Sequence, residues 1–347
     1  MKKYFYKFKY TFLLVILFAV PVFTACRSNT GSGGAGADST PSGPVSKSSF
    51  KLDTIVTITF YDGSDISLID ECFKLCDYYE GMFSRTIPTS EVSKLNSAKT
   101  ITASEEMLEL LTLSLKYCEL SKGIFDISIA PVSSLWDFSA ASPSLPGNNM
   151  LEEAVSHVNY KNIIISDNTV TLADADMAID LGASAKGFIA DRIKSFLVEN
   201  GVTSAIINLG GNVLLIGGKP DGNPFNIGIQ KPFYSYSETA AIMQLTDVSV
   251  VSSGIYERCF TINNTLYHHL LDTKTGYPAS NGLTSVTIIS DSSAEGDLLS
   301  TTAFLMGLED GMALIDSLEN IYAVFITEDG TLHYSEGLLD KINVTDN

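Results

Sequence analysis

Apolar positions along the chain change period several times, and each change marks an element. Residues 51–61 alternate and carry Ile55, Val56, Thr57, Ile58 and Thr59, which predicts a strand. From residue 66 to 83 the apolar side chains Ile69, Phe73, Cys76 and Tyr79 recur at helical spacing. A second helix is predicted from Ser104. That residue supplies a cap, Glu105 and Glu106 an acidic first turn, and Met107, Leu110, Leu111 and Leu115 one apolar face. Residues 139–149, rich in Ser, Pro, Gly and Asn, read as a loop, and 163–165 with 169–172 as a hairpin around Ser166-Asp167-Asn168. A helix is predicted over 186–199. Short strands follow at 205–209, 213–216, 225–229, 240–245, 248–251 and 283–289, then helices at 294–306 and 310–318. A closing hairpin, 323–326 with 331–334, turns at Asp329-Gly330. Helices come in pairs among hairpins, without strict strand–helix alternation. The pattern therefore predicts an α+β fold of antiparallel sheets and packed helix pairs, one body over residues 50–340.

The first 50 residues follow a different pattern. Lys2, Lys3, Lys7 and Lys9 form a basic stretch, and residues 12–20 an apolar run shorter than the roughly 20 residues of a membrane span. Residues 1–25 are expected to be an export signal. The following Phe23-Thr24-Ala25-Cys26 resembles a bacterial lipobox, with Phe23 where Leu is usual. It implies lipidation of Cys26 and anchoring on the extracytoplasmic face of the bacterial cell membrane. Residues 26–49 are expected to be a flexible tether rich in Gly and Ser.

Charge adds an exclusion. The chain has 347 residues, 22 Lys+Arg against 40 Asp+Glu, and a formal charge of −18. The four lysines of the leader mask a still more acidic body. No basic face is available to displace counterions, so nucleic acid is not an expected partner. Apart from Cys26, the cysteines are Cys72, Cys76, Cys118 and Cys259. Cys72 and Cys76 stand four apart on a predicted helix with no second pair to complete a zinc site, so buried core thiols are expected.

Five segments concentrate Gly, carboxylate and hydroxyl residues between the elements. The first is Gly123-Ile124-Phe125-Asp126, where Asp126 leads a strand-like 127–129 and could equally be a turn carboxylate. In Asp180-Leu181-Gly182-Ala183-Ser184-Ala185-Lys186-Gly187, small residues run into a helix start. Such a start exposes backbone N–H groups to an anion, with Lys186 adding positive charge, although it is also an ordinary packing device. Asn208-Leu209-Gly210-Gly211-Asn212 reads as a tight β-turn. The fourth is Ser253-Gly254-Ile255-Tyr256-Glu257-Arg258, with Glu257 and Arg258 a candidate internal ion pair. The fifth runs from His268-His269-Leu270-Leu271-Asp272 through Thr275-Gly276-Tyr277-Pro278. Separately, Asp297 and Thr301 lie four apart on a predicted helix and share a face, a partial shell for a hard cation or an ordinary exposed pair.

Taken in order, these segments resemble the ApbE family of FAD:protein FMN transferases over about residues 50–335. Met82-Phe83-Ser84 and Ser90-Glu91-Val92-Ser93-Lys94-Leu95-Asn96 resemble its early helix-and-loop signature. The resemblance implies a T-fold-like architecture and a Mg²⁺-dependent reaction. FAD is cleaved at its pyrophosphate, FMN is joined to a Ser or Thr hydroxyl of an exported acceptor flavoprotein, and AMP leaves. It further implies Ala183 (through its carbonyl), Asp297 and Thr301 as metal ligands. Implied FAD contacts are Leu52, Thr86, Ile124, Phe125, Asp126, Asp180, Lys186 and Leu271. His269 is the implied base, with His268 as the alternative, and Asp272 is implied to orient the loop or the histidine. The chain departs from the family at Ser184 (usually aliphatic), Ile255 (frequently Asp) and Leu52 (usually Met). Family acceptors carry Asp-Gly-x-Ser/Thr-Gly-Ala-Thr. Here Asp62-Gly63-Ser64-Asp65 does not continue that way, so the chain is not expected to modify itself. Hydrolysis of FAD to FMN and AMP, or FAD binding without chemistry, are the alternative activities.

Overall fold

A computed structural model describes residues 43–235 and 237–346. The expected signal at 1–25, Cys26 and most of the expected tether lie outside the described residues. The chain begins with β1 (Val45–Lys51) and β2 (Thr54–Phe60), then α1 (Ser67–Phe83), α2 (Glu91–Ala98), β3 (Thr100–Thr102) and α3 (Glu105–Leu120). Short helices α4 (Ala130–Ser133) and α5 (Asn148–Ser156) precede β4 (Ile163–Ser166), β5 (Thr169–Leu172) and α6 (Ala185–Glu199). Strands follow as β6 (Ala205–Leu209), β7 (Asn212–Ile216), β8 (Phe225–Gln230), β9 (Thr239–Leu245) and β10 (Ser249–Gly254). Then come β11 (Cys259–Ile262), β12 (Thr265–His268) and β13 (Leu283–Ser290). The last elements are α7 (Ser293–Met306), α8 (Leu308–Asp316), β14 (Tyr322–Thr327), β15 (Leu332–Tyr334), α9 (Leu338–Lys341) and β16 (Asn343–Asp346).

Eight strands form one antiparallel sheet in the order β1-β2-β6-β7-β10-β13-β14-β15. Period-two alternation sends its side chains into two cores. Val286, Ile288, Ala323 and Phe325 face the helices, with Leu298, Leu299 and Phe304 of α7. Ile289, Val324 and Ile326 face the other way, under the small sheet β16-β9-β8 with Phe225, Ile227 and Met243. Cys72 and Cys76 are buried in the helix-side core, as their spacing predicts, and Cys118 is buried there too. The expected α+β class and antiparallel pairing are both present.

Local rules explain most boundaries. The Ser104 hydroxyl accepts the Met107 N–H at 3.2 Å and starts α3, and Ser90 caps α2 in the same way through the Ser93 N–H at 2.9 Å. Three differences from the sequence reading have physical causes. The strand expected at 51–61 is a hairpin whose first arm starts at Val45, inside the expected tether. Leu52 and Asp53 turn it with φ of 54° and 56°, a two-residue loop of left-handed residues without glycine. Residues 127–129 are a turn, because the Asp126 carboxylate accepts from the Ser128 N–H (2.8 Å) and hydroxyl (2.6 Å) and folds the chain back. The hairpin β11–β12 was not anticipated. Its signal is Asn263-Asn264, both left-handed with φ of 51° and 65°.

Helix α6 meets α7 through Gly187. A Cβ there would lie 2.2 Å from the Ser293 carbonyl oxygen, whereas one on Gly81 in α1 would meet nothing within 4 Å. Gly187→Ala is therefore expected to destabilise by about 1–3 kcal/mol. Gly81→Ala is expected to stabilise by about 0.4–1 kcal/mol through the unfolded chain. Urea denaturation of the two variants side by side checks both signs.

Candidate functional site

Two helix starts exchange carboxylates at the centre of the site. Asp297 on α7 is buried, and its Oδ2 accepts the Gly187 N–H at 2.9 Å, at the start of α6. In return Asp191 on α6 accepts the N–H groups of Ser293 (2.8 Å) and Ala294 (3.0 Å) and the Ser292 hydroxyl (2.9 Å), at the start of α7. Each acid faces the positive end of the other helix. Burial pushes both carboxyls above their ordinary range. Lys186 opposes this for Asp297, and the bonds to α7 oppose it for Asp191. The second oxygen of Asp297 accepts no hydrogen bond, and Lys186 is in no ion pair among the described residues. Four residues along α7, the Thr301 hydroxyl lies 3.2 Å from that of Ser253, which also meets Ser300 at 2.8 Å. A buried carboxylate with one uncommitted oxygen, a hydroxyl one turn on and the nearby segment of Ala183 form a hard-oxygen donor set. That set fits Mg²⁺ in kind.

Alternation also separates the two histidines. Cys259 pairs with His268 across β11–β12, and His268 points inward. Its Nε2 donates to the Ala279 carbonyl (3.1 Å), its Nδ1 accepts the Leu270 N–H (3.3 Å), and its ring meets Phe304 edge-on. Burial holds it down to about 4. His269 faces the opposite way and is half-buried. Its Nδ1 is buried with no partner. Desolvation, then the charges of Arg258, His268 and Lys186, hold it down to about 3, so the ring is neutral at ordinary pH. Glu257 reaches solvent but is ringed by protein. That desolvation raises its carboxyl to about 7, with the Asp297 charge adding and Lys186 and Arg258 opposing. No ion pair joins Glu257 to Arg258 among the described residues, contrary to the pairing expected from their adjacency. Glu257 leans on the β6–β7 turn instead, its Oε1 3.6 Å from where a Gly211 side chain would begin.

The segments singled out in sequence are tied to one another. The Asp180 N–H donates to the Ile127 carbonyl at 2.8 Å, the Thr273 hydroxyl to the Gly123 carbonyl at 2.9 Å, and the His269 N–H to the Arg258 carbonyl at 3.1 Å. At Gly210 (φ 66°) a Cβ would lie 2.0 Å from the Thr54 hydroxyl, so the β6–β7 turn closes onto the tip of the first hairpin beside half-buried Leu52. Asp180 accepts from Arg85 Nε and the Ser133 hydroxyl, both at 3.0 Å. Thr86, exposed next to Arg85, meets the Ser84 hydroxyl at 3.0 Å. Leu271 and Phe125 are buried.

Two expected site acids are engaged inside the fold. The Asp126 carboxylate faces Ser128 and the Tyr160 N–H (2.8 Å), so any ligand contact from this segment falls to its backbone or to half-buried Ile124. Asp272 accepts the N–H groups of Lys274 (2.7 Å) and Thr275 (3.3 Å). It orients its own loop and makes no bond to His269. Sequence reasoning passed over Arg85 and Ser133. Arg85 follows directly on Met82-Phe83-Ser84, the one signal that could have found it. A separate group, His157, Asp174 and Asp176, contains no expected site residue, and its Nδ1–Oδ2 contact of 2.9 Å ties the end of α5 to a loop.

The fixed neutrality of His268 has a measurable effect. Its folded value lies below the ordinary 6.5, so the stability it contributes is fully present above pH 6.5 and is lost as pH falls towards 4. In His268→Gln the loss of stability between pH 7 and 4 is expected to be smaller than in the parent by about 2–3 kcal/mol. Urea midpoints at the two pH values check this.

The family model described as the ApbE family matches residues 52–326. An FAD:protein FMN transferase of Treponema pallidum is 31% identical over 296 residues, covering 80% of this chain and 82% of that protein. One from Klebsiella pneumoniae is 33% identical, covering 76% and 83%. Among solved structures, the ApbE protein of Thermotoga maritima superposes with a TM-score of 0.78 at 29% identity, covering 85% of this chain and 98% of that one. The flavin transferase ApbE of Vibrio cholerae superposes at 0.76 with 25% identity, covering 86% and 99%. In fold and in the order of its motifs, the chain belongs to the ApbE family.

Proposed function

We propose that this protein is an FAD:protein FMN transferase that moves FMN from FAD to a Ser or Thr hydroxyl of an acceptor flavoprotein and releases AMP. The observation that carries this is the buried Asp297 with one uncommitted oxygen, set beside Lys186, which is in no ion pair among the described residues, and beside His269, whose Nδ1 has no hydrogen-bond partner. The transferase names of the relatives support the same reading. In the reaction the acceptor oxygen bonds to the FMN phosphorus, the anhydride P–O bond breaks towards AMP, and the hydroxyl proton goes to His269. Nε2 is the ring nitrogen available for it, since Nδ1 is buried. The neutral imidazole is already in the accepting form. Lys186 opposes the charge of the pyrophosphate, and the N–H groups at the start of α6 favour an anion nearby. Asp297, Thr301 and the Ala183 carbonyl would hold Mg²⁺. When bound, the ion supplies neutralisation of phosphate oxygens that a chain of net charge −18 otherwise repels. The basic and apolar leader with Cys26 supports placing the enzyme on the extracytoplasmic face of the membrane, lipid-anchored, with exported flavoproteins as acceptors.

The test combines the chain with FAD, Mg²⁺ and a polypeptide bearing Asp-Gly-x-Thr-Gly-Ala-Thr, followed by mass spectrometry. Covalent FMN on the threonine with equimolar AMP is the expected result. FMN and AMP formed at one rate with or without the polypeptide would reassign the activity to FAD hydrolysis, and FAD bound but intact would sink both. Asp297→Ala is expected to lower turnover by at least ~100-fold. Electron paramagnetic resonance is expected to show Mn²⁺ bound to the parent and none bound to Asp297→Ala. Retained Mn²⁺ binding would remove Asp297 from the metal site.

A further inference from the structure

Arg258 stands directly opposite His269. The ladder of β11 and β12 pairs Cys259 with His268, and one step further the His269 N–H donates to the Arg258 carbonyl at 3.1 Å. Opposed residues of an antiparallel pair share a face, with Cβ atoms about 4.5–5.5 Å apart. Just past the end of the ladder the two residues remain joined by that backbone bond, and the guanidinium charge reaches the imidazole. The other described arginines are occupied, Arg85 with Asp180 and Ser134, and Arg192 with Glu109. Arg258 is exposed and has neither ion pair nor hydrogen bond from its side chain among the described residues, in a chain with 40 acids to 22 bases. Its charge is the leading electrostatic influence on His269.

We propose that Arg258 is a further catalytic residue of the transfer, its guanidinium contacting a non-bridging oxygen of the phosphoryl group on the side from which the acceptor hydroxyl attacks. This rests on the transferase reading above. A base must lie within about 3 Å of the oxygen whose proton it takes. That oxygen approaches the phosphorus in line, so the non-bridging oxygens come within reach of a cation flanking the imidazole. A planar guanidinium offers two parallel N–H donors to such oxygens. Its placement also couples the two halves of the step. Alone, Arg258 disfavours a proton on His269. With the phosphoryl anion between them, the imidazolium that forms on attack has a counter-charge beside it. Lys186 reaches the site from α6, so the two cations come from different elements.

The test uses the full chain with saturating FAD, Mg²⁺ and the Asp-Gly-x-Thr-Gly-Ala-Thr polypeptide in single-turnover mode. FAD affinity is measured separately by flavin fluorescence. Arg258→Ala is expected to lower the transfer rate by ~100–1000-fold while FAD affinity stays within about threefold. Arg258→Lys, which keeps stem and charge, is expected to stay within about tenfold of Arg258→Ala. Millimolar guanidinium is expected to restore part of the rate to Arg258→Ala and none to His269→Ala. A rate for Arg258→Ala within about threefold of the parent overturns the proposal, as does a rate loss matched by an equal loss of FAD affinity. Should Arg258→Ala fail to fold, the folded Arg258→Lys decides, and a parental rate in that variant overturns a bidentate role. A parent chain that leaves FAD intact refutes the transferase reading itself, an outcome distinct from all of these.

Discussion

One backbone contact governs the site, the Gly187 N–H bonded to the Asp297 carboxylate. It exists because position 187 has no side chain. Any Cβ would strike the Ser293 carbonyl, push α6 off α7 and withdraw the amide. The reciprocal bonds from Asp191 to the start of α7 lock the same junction from the other side. Buried carboxylates are costly, and helix amides are among the few partners that offset the cost without neutralising the charge. Asp297 and Lys186 are thus fixed at the head of two helices, and both helices are fixed to the sheet by their apolar faces.

The remaining electrostatics follow from alternation along two short strands. One step in register separates a histidine locked between Ala279 and Leu270 from one that meets Phe138 edge-on and whose Nδ1 has no hydrogen-bond partner. The same step places Arg258 beside the second histidine. In a chain this acidic, several cations are drawn to a neighbouring carboxylate, as Lys47, Lys51 and Lys194 are. Lys186 and Arg258 are in no ion pair among the described residues, and both lie where the proposed chemistry brings phosphate. The overall charge and the local field therefore have opposite sign.

Signals that act over a few residues were legible in sequence. The Ser104 cap, the hairpin around Asp167 and the helix-side burial of Cys72 and Cys76 all depend on local spacing. Ordered motifs likewise identified the segments that converge. Long-range partners were not legible. That Asp126 closes on Tyr160, 34 positions away, depends on how two turns pack, and composition carries no trace of it. The Arg85–Asp180 pair is separated by 95 positions and the same holds for it. Adjacency in sequence misled at Glu257 and Arg258, because the two follow a turn between β10 and β11, and Glu257 leans on the β6–β7 turn instead.

The sealed thiols have a consequence for how such a chain can live. Cys72 and Cys76 sit in the core, where desolvation pushes both up to about 12, and Cys118 is raised further by the same burial. The thiolate, the form that attacks disulfides and oxidants, is then scarce at neutral pH. Among the described residues no disulfide forms, and only the half-buried Cys259 is left within reach of an oxidant. The core is accordingly held together without any bond that depends on redox poise, so it can form in a reducing compartment and persist in an oxidising one.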